Sequence, residues 1–374
     1  MRPTINSAAA RPANVESKPI ATPCQREPYS WCFMDPGLAN IGDERVASLL
    51  RELGVSKDFR ISEEFVSEVL GMITDQPNTL DLKIASAAVT EMRDAFRMFA
   101  PYKAVRKVSI FGSARTKPDD PLYEQTRRVA AKLADAGWMV VTGAGPGIMQ
   151  AGMEGAGRER SIGVSIRLPF ESGANSIIAG DEKHVSMKYF FTRKLMLVKE
   201  SSAFICLPGG FGTIDETFEL LTLTQTGKGI PVPIVFLDTP GDPYWEAVDQ
   251  FVADHLVSRG LVSATDRNLY RITDSCDAAA DEITRFFANY HSVRNVGDDL
   301  IVRMHQAPTG EQLASLNVQF KHLVKEGEIR NCEPYSVEKR QDDHLDLARI
   351  AMSFDSHGYA ELRTLIDVIN TYVS

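Results

Sequence analysis

The sequence predicts an α/β protein built on a doubly wound parallel sheet, and three observations carry that prediction. Short apolar runs alternate with amphipathic helices from residue 107 to about 290. Three of those runs end in glycine-rich turns, "GSAR" after 111, "GAGPG" after 142 and "PGGFGT" from 208. That is the edge at which an open sheet of this kind collects ligands. The chain has 374 residues and 44% hydrophobic content, enough for a full core with smaller additions.

Residues 1–40, rich in Ala, Pro, Ser and Asn without periodicity, predict a flexible leader. Residues 41–100 predict a helical extension, with Val46, Leu49, Leu50 and Leu53 on one face, and Ile84, Ala88, Met92, Ala95 and Phe99 on another. Residues 101–290 predict the Rossmann-like domain. Its strands are "KVSIF" (107–111), "WMVVT" (138–142), "SIGVSIRL" (161–168), "AFICLP" and "VPIVFL". Helices fall at about Leu122–Ala136, after "GAGPG", across "KYFFTRKLMLVKES", after "PGGFG", and at "YWEAVDQFVADHLVSRG" and "CDAAADEITRFFANY". Residues 291–374 predict a small α+β appendage: strand "DLIVRMH", helix "GEQLASLNVQFKHLVKEG", charged loop "VEKRQDDHLD", strand "ARIAMSF" and helix "YAELRTLIDVINTYV". The appendage has no glycine-rich turn and no clustered catalytic residue types, so packing or oligomer support is its expected use.

Composition excludes several function classes. A net charge of -9 with no Lys/Arg-rich block argues against a nucleic-acid partner. Cys24, Cys32, Cys206, Cys276 and Cys332 form no C-x-x-C pair, so neither a disulfide framework nor a zinc or other metal site is expected. No apolar run is long enough for a bilayer or a signal peptide, and a cytoplasmic protein without membrane partners is the expectation.

"GAGPGI" is not G-x-G-x-x-G, and it follows the second strand instead of the first. The strand after it ends in Arg167, with Glu171 only beyond Pro169, so the acid that would hold an NAD ribose is not in place. "PGGFGT" is more informative. Gly209, Gly210 and Gly212 let backbone approach an anion, and the N–H groups opening the next helix add to a phosphate cradle. No Walker lysine follows, so a single phosphate is expected, and no cofactor.

Thr213 and Glu216 fit a T-x-x-E capping box, and acids near a helix start also suit its dipole. Yet Asp215, Glu216 and Glu219 crowd a turn suited to an anion. One carboxylate facing the sugar of a nucleotide would explain the crowding, because breaking an N-glycosidic bond requires a carboxylate near C1' to orient water and stabilise an oxocarbenium-like state. Glu216 is the candidate. On the preceding helix a stripe of Phe191, Leu195 and Val198 is expected to face the core, leaving Arg193 pointing away from it, free to reach the same sheet edge; Lys194 could do likewise.

"FGSAR" (111–115), "GAGPGIM" (143–149), "RK" (193–194) and "PGGFGTIDE" (208–216) resemble the Lonely Guy family over about residues 100–290. These are nucleoside 5'-monophosphate phosphoribohydrolases that release adenine or an N6-prenylated cytokinin base with ribose 5-phosphate. The resemblance implies that Arg193 and Glu216 are catalytic and that Gly209, Gly210, Gly212 and Thr213 hold the 5'-phosphate. Gly112, Ser113 and Gly143 line the nucleotide site by the same resemblance, with Lys194 and Gly147 as further candidates. It also implies a homo-oligomer, a dimer or an assembly of dimers. Some relatives carry a lysine decarboxylase label, but no motif here marks a pyridoxal-phosphate lysine. Gln150 departs from the acid that many long relatives carry there. "PFESGANSIIAGDEKHVSMKY" is expected to form a loop over the base pocket, offering Glu171, Asp181 and His184 for protonating the leaving base. The alternatives are a non-catalytic mononucleotide sensor and, further off, a dinucleotide-dependent oxidoreductase.

Overall fold

The computed structural model describes residues 42–168 and 173–373. The predicted leader and Glu171 lie outside them. The chain divides into two compact units, with the boundary after Thr79. In the first, helices α1 (Gly42–Glu52) and α2 (Phe59–Thr74) are joined by a tight turn, with the Arg51 guanidinium 5.6 Å from the Phe59 ring centroid. Of the predicted stripe, Val46 and Leu50 are buried but Leu49 and Leu53 are exposed; Ala47 takes their place, shifting the buried face.

The second unit opens with α3 (Thr79–Phe99) and then alternates strand and helix: β1 (Lys107–Phe111), α4 (Pro121–Asp135), β2 (Met139–Thr142), α5 (Ile148–Ala156), β3 (Ser161–Ile166), β4 (His184–Met187), α6 (Phe190–Lys199), β5 (Ala203–Cys206), α7 (Phe211–Gln225), β6 (Ile234–Leu237), α8 (Tyr244–Phe251), β7 (Arg271–Thr273) and α9 (Cys276–Arg285). The seven strands form one parallel sheet in the order β4-β3-β2-β1-β5-β6-β7. The order reverses at β1, whose neighbours are β2 and β5. Alternation along each strand sends Val108, Ile110, Val140, Ile205 and Val235 to the face covered by α4 and α9. Phe111, Val141, Phe204, Cys206 and Phe236 go to the face covered by α3, α6, α7 and α8. This is the doubly wound, Rossmann-like sheet the alternation predicts.

Two strands of this sheet escape the sequence pattern, as do β8 (Tyr290–Val296) and β10 (Arg330–Asn331) beyond it. β4 lies inside the segment read as a loop, and β7 is only three residues long. Both are edge strands, short and partly polar, as sheet edges usually are.

The appendage is a four-stranded antiparallel sheet with helices. β8 (Tyr290–Val296) and β9 (Asp299–Met304) form a hairpin, followed by α10 (Gly310–Gln319), β10 (Arg330–Asn331), α11 (Ser336–Gln341), β11 (Ala348–Ser353) and α12 (Tyr359–Asn370), in the order β10-β11-β9-β8. The predicted charged loop is instead partly α11, because its charges pair internally. Glu338, fully buried, accepts from Arg303 Nη2 at 2.6 Å and from the Tyr335 N–H at 2.9 Å, with the Arg349 guanidinium 3.5 Å away. Phe286, Phe287, Tyr290 and Leu362 continue the core on the α4 face, so the appendage shares that core with the parallel sheet.

One close contact tests this fusion. Gly227, at the end of α7, has φ +68, and a Cβ there would lie 2.1 Å from the ring of Tyr359 on α12. Gly227→Ala combines a disfavoured backbone with a collision, so it is expected to cost about 1–3 kcal/mol and to lower the thermal unfolding midpoint. An unchanged midpoint would contradict the packing.

Candidate functional site

The sheet's switch point brings three glycine turns together. Ser113, after β1, donates its N–H to the Pro208 carbonyl after β5 at 3.3 Å, closing the two turns on each other. The Ser113 carbonyl in turn accepts from Ile148 N at 3.0 Å, joining the turn before α5. Gly147 makes that approach possible: its φ is +66, and a Cβ would stand 2.4 Å from the Ser113 oxygen. A Cβ on Gly112 would meet Ile148 at 2.6 Å. These turns open on a cleft of about 730 Å³ lined by Gly112, Ser113, Gly143, Met149, Ser165, Leu168, Phe190, Arg193, Lys194 and residues 209–216.

Helix α7 starts at Phe211 with Gly210 as its N-cap, and its first backbone bond runs from Ile214 N to Gly210 O. The N–H groups of Phe211, Gly212 and Thr213 therefore have no intrahelical acceptor, and they lie at the cleft. Gly210 and Gly212 have nothing within 4 Å where a Cβ would stand, so the approach to those N–H groups is open. This start corrects the capping box. Thr213 lies inside the first turn and Glu216 beyond it, with no acid in the first turn. Thr213 packs instead on the turn, its Oγ1 2.2 Å from where a Cβ on Gly209 would be. Tyr244 of α8 holds the same turn, donating its hydroxyl to the Gly209 carbonyl at 2.7 Å. Nothing in the local sequence marks Tyr244, which is 35 residues away.

Arg193 is buried, at 8% exposure, and the expected orientation of α6 is corrected with it. The helix buries Thr192, Arg193, Met196 and Leu197, while Phe191 and Leu195 are 53% and 45% exposed. Polar partners make this face the inner one. Arg193 Nε donates to the Val164 carbonyl at 3.0 Å and Nη1 to Glu216 Oε1 at 2.9 Å. Gly143 leaves the room: a Cβ there would be 2.2 Å from Nη2. Thr192 donates to Glu91 of α3 at 2.6 Å, and the same carboxylate accepts from Lys188 N at 2.6 Å, so a buried acid of α3 caps the start of α6.

Burial pushes the Glu216 carboxyl above its ordinary value, against the opposing pull of the Arg193 guanidinium. Lys194 pairs with Asp215 at 2.6 Å and Glu219 at 2.9 Å. Burial pulls Lys194 down, but those two carboxylates outweigh it and hold the ammonium above its ordinary value. The acids that crowd the turn are thus divided: Asp215 and Glu219 go to Lys194, and Glu216 goes to Arg193.

The other sequence candidates separate. Asp181 is tied to Arg158 and Lys183, each at 2.7 Å; these cations outweigh burial and hold it below the usual carboxylate range, so it carries no proton to give. His184 sits on β4 and bonds Ser165 at 2.9 Å. Gln150 lies on α5 and donates to Glu154 at 2.8 Å, away from the cleft lining.

A doubly wound sheet whose switch-point cleft joins free helix N–H groups to a buried Arg–Glu pair defines a Rossmann-like protein with an anion-binding turn. Residues 147–283 match the family model described as "Possible lysine decarboxylase". The probable cytokinin riboside 5'-monophosphate phosphoribohydrolase LOG6 of Arabidopsis thaliana is 32% identical over 123 residues, 33% of this chain and 58% of that protein. LOG1 of the same plant, a cytokinin riboside 5'-monophosphate phosphoribohydrolase, is 29% identical over 119 residues, 32% of this chain and 54% of its own. Over these residues the chain is similar to cytokinin riboside 5'-monophosphate phosphoribohydrolases, and it spans little more than half the length of these curated relatives. Among solved structures, a molybdenum cofactor carrier protein from Chlamydomonas reinhardtii is 19% identical, covering 48% of this chain and 97% of the other with a TM-score of 0.34.

The decarboxylase wording would imply pyridoxal phosphate, and the residues present do not fit it. Lys194 is the lysine lining the cleft among the described residues, and its two carboxylate partners keep it protonated, the opposite of what a Schiff-base nucleophile needs.

The Arg193–Glu216 contact carries its own test. In Arg193→Gln the cation that favours the carboxylate is gone, so the Glu216 pKa is expected to rise further in a carbon-13 NMR titration. A pKa that stays in place or falls would show that the guanidinium does not govern this carboxyl.

Proposed function

We propose that this chain hydrolyses the N-glycosidic bond of a purine nucleoside 5'-monophosphate, AMP or an N6-prenylated AMP, to free base and ribose 5-phosphate. The observation that carries the reading is the buried Arg193–Glu216 pair beside free helix N–H groups in one cleft. The 5'-phosphate sits on the N–H groups of residues 211–213, with Thr213 and the open Gly210 and Gly212 around it. Gly112, Ser113 and Gly143 form the wall of the sugar site, and Gly147 behind it lets the Ser113 turn approach. C1' then lies toward Glu216, which orients a water, takes its proton as oxygen bonds to C1', and later releases that proton to solvent. The C1'–N electron pair leaves with the base. Arg193 favours the ionised form of Glu216 and orients it, and the carboxylate stabilises the positive charge of the oxocarbenium-like transition state. The base extends toward Met149, Leu168 and Phe190.

The reaction needs no cofactor, and the net charge of -9 argues against nucleic acid as a competing partner. No helix among the described residues is long and apolar enough to cross a membrane. The expected homo-oligomer is supported by exposed Phe190 and Phe211 in the cleft lining, the latter 97% exposed, and by exposed Phe191 and Leu195 on α6. A non-catalytic mononucleotide sensor would use the same phosphate turn. What favours hydrolysis is a carboxylate set beside that turn instead of a neutral group.

Glu216→Gln keeps size and one acceptor while removing the base. It is expected to retain AMP binding and the wild-type melting profile while base release, followed by chromatography, falls by about 10²–10⁴. Near-normal release in the variant would sink the mechanism; binding of AMP by wild type with no release would favour the sensor.

A further inference from the structure

The cleft is also lined by a serine whose histidine partner the reading above leaves unused. Ser165, near the end of β3, is buried yet lines the cleft, next to the Val164 carbonyl that anchors Arg193. Its Oγ lies 2.9 Å from Nε2 of His184 on β4. His184 pairs in register with Gly163, and a Cβ at 163 would come within 3.1 Å of the imidazole Cδ2. The ring uses the space that glycine leaves, which is how it reaches a serine two residues along the neighbouring strand.

On its outer side His184 lines an open groove of about 620 Å³ against α3. The charged groups sharing that groove are Asp94 and Arg97 of α3 and Glu182 before β4. Lys183, the other neighbour, is held by Asp181 at 2.7 Å. The imidazole Nδ1 has no protein partner among the described residues. Burial holds His184 below its ordinary imidazole value, so near neutral pH the ring is uncharged and carries one proton. With that proton on Nε2, the ring donates to Ser165 Oγ and turns the hydroxyl hydrogen away from itself, toward the cleft.

The geometry points to Ser165, backed by His184, as the proton donor to the departing base. This assignment rests on the hydrolase reading. As the C1'–N bond breaks, its electron pair stays with the base and a ring nitrogen takes the Ser165 proton. Oγ takes the Nε2 proton, and Nδ1 takes one from solvent in the groove. Water attacking C1' loses its proton through Glu216, so the sum is nucleotide plus water to base plus ribose 5-phosphate. His184 acts through Ser165 and is a positioning residue. The pair also explains why a histidine stands on an edge strand beside a glycine, a placement that packing alone does not demand.

The test compares two leaving groups. Adenine needs a proton to leave AMP, whereas the cationic base of 7-methylguanosine 5'-monophosphate departs neutral without one. Ser165→Ala and His184→Gln are expected to lower kcat on AMP by about 10²–10⁴, with little change in KM, while kcat on the cationic probe moves by no more than about threefold. Glu216→Gln is expected to lose both reactions, which separates failure of this pair from failure of the hydrolase reading. Equal losses on the two substrates in folded variants, or no loss on AMP, overturn the pair as proton donor. So does a wild-type chain that cleaves AMP but not the cationic probe. A wild-type chain that releases base from neither overturns the hydrolase reading and this assignment together.

Discussion

The candidate site depends on one buried guanidinium. Arg193 reaches from α6 to the Val164 carbonyl of β3 and to Glu216 of α7, and it lies over a position of the β2 turn where a side chain would collide. A guanidinium can do this because its donors form a rigid planar fork, so one residue satisfies two acceptors on different elements at once. An ammonium in its place would satisfy either acceptor as a point charge but would not fix the angle between them. Burying that cation is tolerable only because a carboxylate faces it, and burying the carboxylate only because the cation does. The two hold each other in a cleft that hydration would otherwise favour leaving.

The supports of the guanidinium extend well beyond the cleft. Glu91 of α3 caps α6 through Lys188 N and Thr192, which sets the rotation of the helix and turns Arg193 inward. Tyr244 of α8 pins the Gly209 carbonyl, and Ser113 ties the β1 turn to the β5 turn. Each contact fixes backbone that presents a group to the cleft, so the helix that precedes the sheet and the helix that follows α7 both belong to the site's scaffold.

Much of this was legible in the sequence, for identifiable reasons. The parallel strands are buried on both faces and read as continuous apolar runs, and the three glycine turns at their ends mark the ligand edge. Glu216 could be singled out because acids crowd a turn suited to an anion, and Arg193 because it stands off the expected stripe on the helix leading to that turn. Their contact could not be read, because the rotation of α6 is decided by Glu91, about a hundred residues earlier. Phe191 and Leu195 look like a core stripe by periodicity, yet polar partners for Thr192 and Arg193 win the inner face. β4 and β7 are too short and too polar to stand out, and the capping box at Thr213 failed because the N-cap of α7 falls three residues sooner, on Gly210. Ser165 and His184 meet only through the register of β3 and β4, so a strand read as a loop hid their contact.

The central claim is that one cleft holds a phosphate on the start of α7 and brings C1' to Glu216. The most direct measurement is a crystal structure of the Glu216→Gln protein with AMP bound. The account predicts the phosphate against the N–H groups of residues 211–213, C1' facing the residue 216 side chain and the base toward Ser165. A nucleotide bound with its phosphate away from that turn, or with C1' turned away from residue 216, would contradict it.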